Sequence, residues 1–184
     1  MSISVIREMQ QAGLRCHPVT ACKAVDDINV AVRRLSASQL QVNYRVLGDL
    51  HALRIPDRTT SARHDELWRH TCAELFVADA QSECYCEFNF APSTEWAAYE
   101  FRRYRQGMRP ADCAPPVIEC MQTAQELLLR ITVKVPETLA LAVQWRLGLT
   151  MVVEDAAGQC SYWALLHTAE RPDFHRRDSF VLHL

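Results

Sequence analysis

The sequence predicts an all-β protein, an antiparallel sandwich of immunoglobulin-like or jelly-roll-like kind with about eleven strands. Three observations carry that expectation. Short runs alternate apolar and polar side chains with a period of two, as in YCEFNF at 85–90 and QLQVNYRV at 39–46. Turn-forming residues separate the runs, most plainly Asp155-Ala156-Ala157-Gly158. Windows with helical spacing are few, which argues against alternating β-α-β units. No internal repeat or low-complexity tract interrupts the pattern, and a chain of 184 residues that is 49% hydrophobic can close one core. Residues 1–13 are expected to form an N-terminal arm, and 14–184 a single domain.

In order along the chain, Ile3, Ile6 and Met9 have near-helical spacing, so the stretch reads as an arm or a turn of helix stopped at Gly13. From Leu14 to Pro56 the period becomes two. Ile28, Val30 and Val32 alternate with Asn29, Ala31 and Arg33, and Leu40 to Val46 repeats the pattern. The two strands are joined at Ser36-Ala37-Ser38, and Leu50 to Ile55 reads as a third. Pro56 to Asp65 is polar and aperiodic, a surface loop. Three strands follow within Leu67–Phe101, the stretch richest in aromatic rings and carboxylates. Gly107 to Pro116 holds three of the eight prolines and reads as a second loop. Five further β-type runs complete the chain: Val117–Met121, Leu127–Val135, Arg146–Glu154, Ser161–His167 and Ser179–Leu184.

Strand side chains alternate between faces. Cys84, Cys86, Phe88 and Phe90 therefore point one way, and Glu83, Tyr85, Glu87 and Asn89 the other. Glu74 and Phe76 oppose Leu75 and Val77. On the next run Trp96, Glu100, Arg102 and Tyr104 oppose Tyr99 and Phe101. If the polar faces are neighbours, one side of a sheet presents carboxylates, an amide, a guanidinium and aromatic rings. A sugar has an apolar C–H face that packs on aromatic rings and an edge of hydroxyls that donate and accept, so this chemistry suits it. Cross-strand Glu–Arg pairs on a solvated face are the structural alternative.

LWRHTCAELFV, YCEFNFAPSTEWAAYEF, SYWALLH and PDFHRRDSFVLHL together resemble the DOMON-like superfamily, which includes the family 9 carbohydrate-binding modules. The resemblance covers Trp68 to Leu184. Its most specific parts are the Trp68–Glu74 spacing and the run Glu87 to Ser93. It implies a sandwich in which two tryptophans hold a terminal sugar while Glu, Asn and Arg bind its hydroxyls. By that resemblance Trp68 is the first ring, Trp163 the second and Glu74 the carboxylate. Asn89 and Arg102 bind hydroxyls, and His167 lies beside the second ring. The partner is then a small sugar or related polar ligand, and the module is non-catalytic. The alternative class is a structural or interaction protein that uses the same face, with self-association as one form.

Relatives in that superfamily bind haem through Met and His or Lys. Met108, Met121, His167 and His175 are the candidates here, but no Cys-x-x-Cys-His run is present and no cofactor is expected. His64, Asp65, His70 and Cys72 match no compact zinc spacing, so no metal is expected either. Glu74 and Glu87 could serve a glycosidase only at a suitable separation, which spacing in sequence does not give. No Gly-x-Ser-x-Gly elbow or phosphate-binding glycine loop occurs among the five glycines.

Twenty basic and 22 acidic side chains leave a formal charge of -2, which disfavours nucleic acid and anionic membrane as partners. In the run Phe101–Arg109, alternation sends Arg103 and Arg105 opposite Arg102, so no single basic stripe forms. Arg7 and Glu8 break what would be the apolar core of a signal peptide, and no apolar run reaches the ~18 residues of a membrane span. The expected location is cytoplasmic, and the eight cysteines are expected to be reduced.

Overall fold

The computed structural model describes residues 8–184. The expected N-terminal arm lies mostly outside them. Its last residues are already strand, because β1 spans Gln10–Cys16. The other strands are β2 Val25–Arg34, β3 Gln39–Gly48, β4 Cys72–Asp79, β5 Tyr85–Phe90, β6 Trp96–Phe101, β7 Arg109–Pro110, β8 Val117–Gln122, β9 Glu126–Lys134, β10 Trp145–Glu154, β11 Cys160–Ala164 and β12 Leu182–His183. All pairings between them are antiparallel.

The strand order is β7-β6-β5-β4-β10-β11-β1-β2-β3-β9-β8, with β12 added to β10. β1 turns this run into two layers. Its residues Gln10 to Leu14 pair with β2, whereas Arg15 and Cys16 pair with β11. The main core lies between the layers. Ile28, Val30, Val42, Tyr44, Leu129 and Ile131 from one layer meet Leu75, Val77, Phe88, Leu147, Leu149 and Met151 from the other. Burying such side chains stabilises each by about 1.5–3 kcal/mol, which is why alternation reads so clearly on these strands. Tyr44 brings its one polar atom into this core and donates to the Glu74 carbonyl across the layers at 2.6 Å.

The outer face of the second layer is apolar as well. Phe76, Tyr85, Tyr99, Phe101, Val152 and Phe180 form a second cluster there, covered by the segment before β4 and by the segment between β11 and β12. Phe180 is fully buried. It sits on the backbone of β10 at Gly148, where an added Cβ would lie 2.7 Å from its ring. Arg177 ties the same segment to the β4–β5 turn, donating to the carbonyls of Asp79, Ala80 and Ser82.

Several expected strands are shorter or differ in kind. Leu50–Ala52 is a 3-10 turn capped by Asp49, with only an isolated bridge from Leu53 to Asp155. The run from Ser161 loses its strand after Ala164, and the C-terminal run contains a 3-10 turn at Arg177–Ser179 before β12. A one-turn helix, α1 Glu137–Ala140, follows β9, and the Trp145 indole N–H donates to the carbonyl of Leu139 there. Among the described residues no helix is long and apolar enough to cross a membrane.

Candidate functional site

A cleft of about 300 Å3 opens on the outer face of the second layer, and Glu74, Glu87, Phe101, Val152 and Tyr162 project into it from β4, β5, β6, β10 and β11. Register explains the company these residues keep. Glu74 is paired with Asn89 and with Thr150, Glu87 with Tyr99, and Val152 with Tyr162, and directly paired residues share a face. One wall is Trp68, on a 3-10 turn at Leu67–Arg69, with its ring edge-on to Tyr99 at 5.9 Å. The opposite wall is Pro172, Phe174 and His175, and Phe174 lies 5.9 Å from Tyr162. Arg105 and Met108 stand at the mouth.

Non-glycine residues with positive φ flank the cleft on both sides. Glu66, at φ 64°, starts the turn that carries Trp68, and Arg105 has φ 50°. Such backbone costs about 1–3 kcal/mol unless its surroundings hold it, and here they do. Tyr99 donates to Asp65 at 2.6 Å beside the first. Beside the second, Arg105 donates to Asp173 at 2.9 Å, Tyr104 donates to the other oxygen of Asp173 at 2.6 Å, and the His175 amide donates to it at 3.2 Å. Asp173 thus ties the β6–β7 connection to the opposite wall. Burial alone would raise its pKa, but the bonds from Tyr104 and Arg105 bring it below the usual range.

The floor is acidic and largely buried. Glu74 is 3% exposed and Glu87 5%. Thr150 donates to Glu74 at 3.3 Å, and the Asn89 amide donates to Glu87 Oε1 at 2.8 Å. Asn89 is fully buried and accepts in turn from Cys72 at 3.7 Å. Burial first, and Glu87 second, hold the Glu74 carboxyl well above the usual range. Burial also pushes Glu87 up to about 7, against the Asn89 bond and the Arg105 charge. His175 is lowered to about 4, chiefly by burial and then by Arg105, so its ring is neutral at neutral pH. Tyr85 receives the Arg105 amide at 3.2 Å and shares a hydrogen bond with His175 Nδ1 at 2.8 Å. That leaves His175 Nε2 3.6 Å from Glu87 Oε2.

Of the residues expected at a site, Trp68 and Glu74 line the cleft, and Asn89 lies beneath it as the support of Glu87. Trp163, expected to be the second ring, is instead in the main core, 6% exposed, with its indole N–H on Ser161 at 3.0 Å. A two-tryptophan clamp is therefore not formed. Strand parity is the reason: Tyr162, one residue earlier, faces outward. Arg102 also misses the cleft. The Glu87–Tyr99 pairing puts Tyr99 and Phe101 on the carboxylate side, so Arg102 falls opposite, packed against the positive-φ Gly107 in a separate groove. His167 does not line the cleft: it bonds the Arg15 carbonyl at 2.8 Å, meets His17 edge-on, and packs behind Phe174 at 6.3 Å.

Tyr162, Phe174, Arg105 and His175 complete the site without having been chosen as ligand residues. Parity could have found Tyr162. Arg105 and the C-terminal wall arrive from loops, which carry no periodic signal. Of the residues considered for haem, Met108 and His175 line the cleft, Met121 is exposed on β8, and His175 Nδ1 is occupied by Tyr85. Among the described residues no group of three or more His, Cys, Asp or Glu is placed to hold a metal ion.

No protein-family model matches the chain, and no curated protein matches it in sequence. Solved structures do match it in three dimensions. A family 9 carbohydrate-binding module of Caldicellulosiruptor kristjanssonii, solved with cellotriose, superposes with a TM-score of 0.58 over 95% of this chain and 80% of its own, at 7% identity. The fold is that of family 9 carbohydrate-binding modules. A glucose complex of a module from that family and organism gives a TM-score of 0.54 at 7% identity, covering 92% of this chain and 81% of its own. A protein of Bacteroides uniformis ATCC 8492, whose designation as carbohydrate-binding is provisional, gives 0.62 at 12% identity over 94% of this chain and 84% of its own.

Proposed function

We propose that this chain is a non-catalytic binding module for a small carbohydrate or a related polar ligand, a DOMON-like relative of the family 9 modules that works in the cytoplasm. The observation that carries the reading is the cleft itself. Aromatic walls from Trp68, Tyr162 and Phe174 stand over a floor of two buried carboxyls, so an apolar ring face and a hydroxyl edge are matched in one cavity of about 300 Å3. The sugar complexes of structures sharing this fold support it. In this reading Trp68 and Tyr162 flank the ligand, and Glu74 and Glu87 take its hydroxyls. Asn89 orients Glu87, and Arg105 closes the mouth.

Calorimetric titration with glucose and short glucans tests it. Trp68→Ala and Tyr162→Ala should each weaken binding by at least about tenfold, equivalent to 1.4 kcal/mol. Trp163→Phe should leave affinity unchanged and lower only stability. Loss of binding in Trp163→Phe with full binding in Trp68→Ala would contradict the assignment. Failure of every glycan, together with concentration-dependent self-association blocked by Trp68→Ala, would favour an interaction module that uses the same face.

A further inference from the structure

The floor of the cleft carries two acids and no cation committed to them. Glu74 accepts only from Thr150, at Oε2, and among the described residues no donor bonds its Oε1. Glu87 uses Oε1 for Asn89, and the nearest donor to its Oε2, His175 Nε2, stands at 3.6 Å, beyond a hydrogen bond. The guanidinium at the mouth is engaged elsewhere, since Arg105 gives both Nε and Nη2 to Asp173. Each acid therefore keeps one carboxyl oxygen without a donor, though both residues are more than nine-tenths buried and line the cavity.

We infer that the cleft takes a sugar bearing a protonated amine, an amino sugar of hexose size. The inference rests on the carbohydrate reading above and adds the charge of the ligand. A carboxylate is stable in a largely buried site only when a cation or several donors pair with it. An ammonium brings one positive charge and three donors, enough to reach both open oxygens. The rings of Trp68, Tyr162 and Phe174 receive the sugar face, and their π faces also favour a cation nearby. A neutral sugar supplies hydroxyls but no charge that would let the acids give up their protons.

The titratable groups facing Glu87 are His175, Arg105, Tyr85, Cys72 and Glu74. His175 is neutral, and Arg105 is offset by Asp173, so an incoming ammonium is the uncompensated charge that lets a carboxyl ionise.

Titration calorimetry of the full chain at pH 7 with D-glucosamine, D-glucose and N-acetyl-D-glucosamine decides the matter. Glucosamine should bind at least about tenfold more tightly than the other two. Glu87→Gln should abolish that preference while keeping some affinity for glucose, and Glu74→Gln serves as a second variant whose fold is checked by thermal unfolding. Equal affinity for glucose and glucosamine overturns the amine inference and leaves the carbohydrate reading standing. A glucosamine preference unchanged in both variants also overturns it. Binding of none of the three overturns the amine inference, and failure of the short glucans as well overturns the carbohydrate reading.

Discussion

At the scale of single residues, the floor of the cleft sets a pH dependence whose parts oppose each other. Glu87, pushed up to about 7 by burial, keeps its proton in the folded chain over pH values at which the unfolded chain has lost it. Its contribution to stability therefore falls as pH rises from about 4.5 to 7. Glu74 acts in the same direction. His175 is lowered to about 4, so the unfolded chain takes up a proton near 6.5 that the folded chain refuses, and its contribution rises with pH from about 4 to 6.5. Over the shared range the slopes partly cancel. Glu87→Gln should gain stability relative to wild type as pH rises from 4.5 to 7, by up to about 3 kcal/mol at 1.36 kcal/mol per pKa unit. His175→Gln should do the reverse between pH 4 and 6.5. Denaturant unfolding across that range measures both, and pH-independent differences would refute the account.

Elements of the fold act through the C-terminal segment, which is both cover and wall. Phe180 closes the outer cluster by lying on β10 where Gly148 has no side chain. Gly148→Ala should push the ring off and destabilise by about 1–3 kcal/mol, the usual range for overpacking, with a thermal shift as the readout. Nearer the mouth, Asp173 accepts from Arg105, Tyr104 and the His175 amide. Asp173→Ala should loosen the Pro172–His175 wall, speed hydrogen exchange at the His175 amide, and weaken ligand binding by about tenfold, with little loss of global stability. Unchanged exchange at that amide would show that the wall is held by its apolar contacts alone. Most strands of both sheets were legible from period two, because one face of each is buried in a core, but β1 fell largely on the expected arm and β7 on an expected loop. The C-terminal run was not, since its residues from Thr168 to Val181 cover a sheet rather than extend one and show no alternation.

For the whole molecule, the apolar core between two sheets accounts for stability without covalent ties. All eight cysteines are free, and only Cys84 is classed as exposed. A reductant should therefore leave the unfolding temperature unchanged, and a drop of several degrees would reveal a stabilising disulfide and refute the account. The two-sheet architecture and the inward apolar faces were present in the sequence, and the partnership of Trp68 with Glu74 was implied by the family resemblance. They depend on local rules, alternation along a strand and the spacing of a few residues. The rest of the site was decided only by tertiary structure. Which faces of β5 and β6 coincide depends on Glu87 pairing with Tyr99, and this excludes Arg102. The second aromatic wall depends on a segment returning from about residue 170 to a sheet begun near residue 72, which brings Phe174 and His175 to the carboxyls, beside the Tyr162 that parity on β11 presents there in place of Trp163. Periodicity says that two faces differ; only the register between strands says which faces are shared.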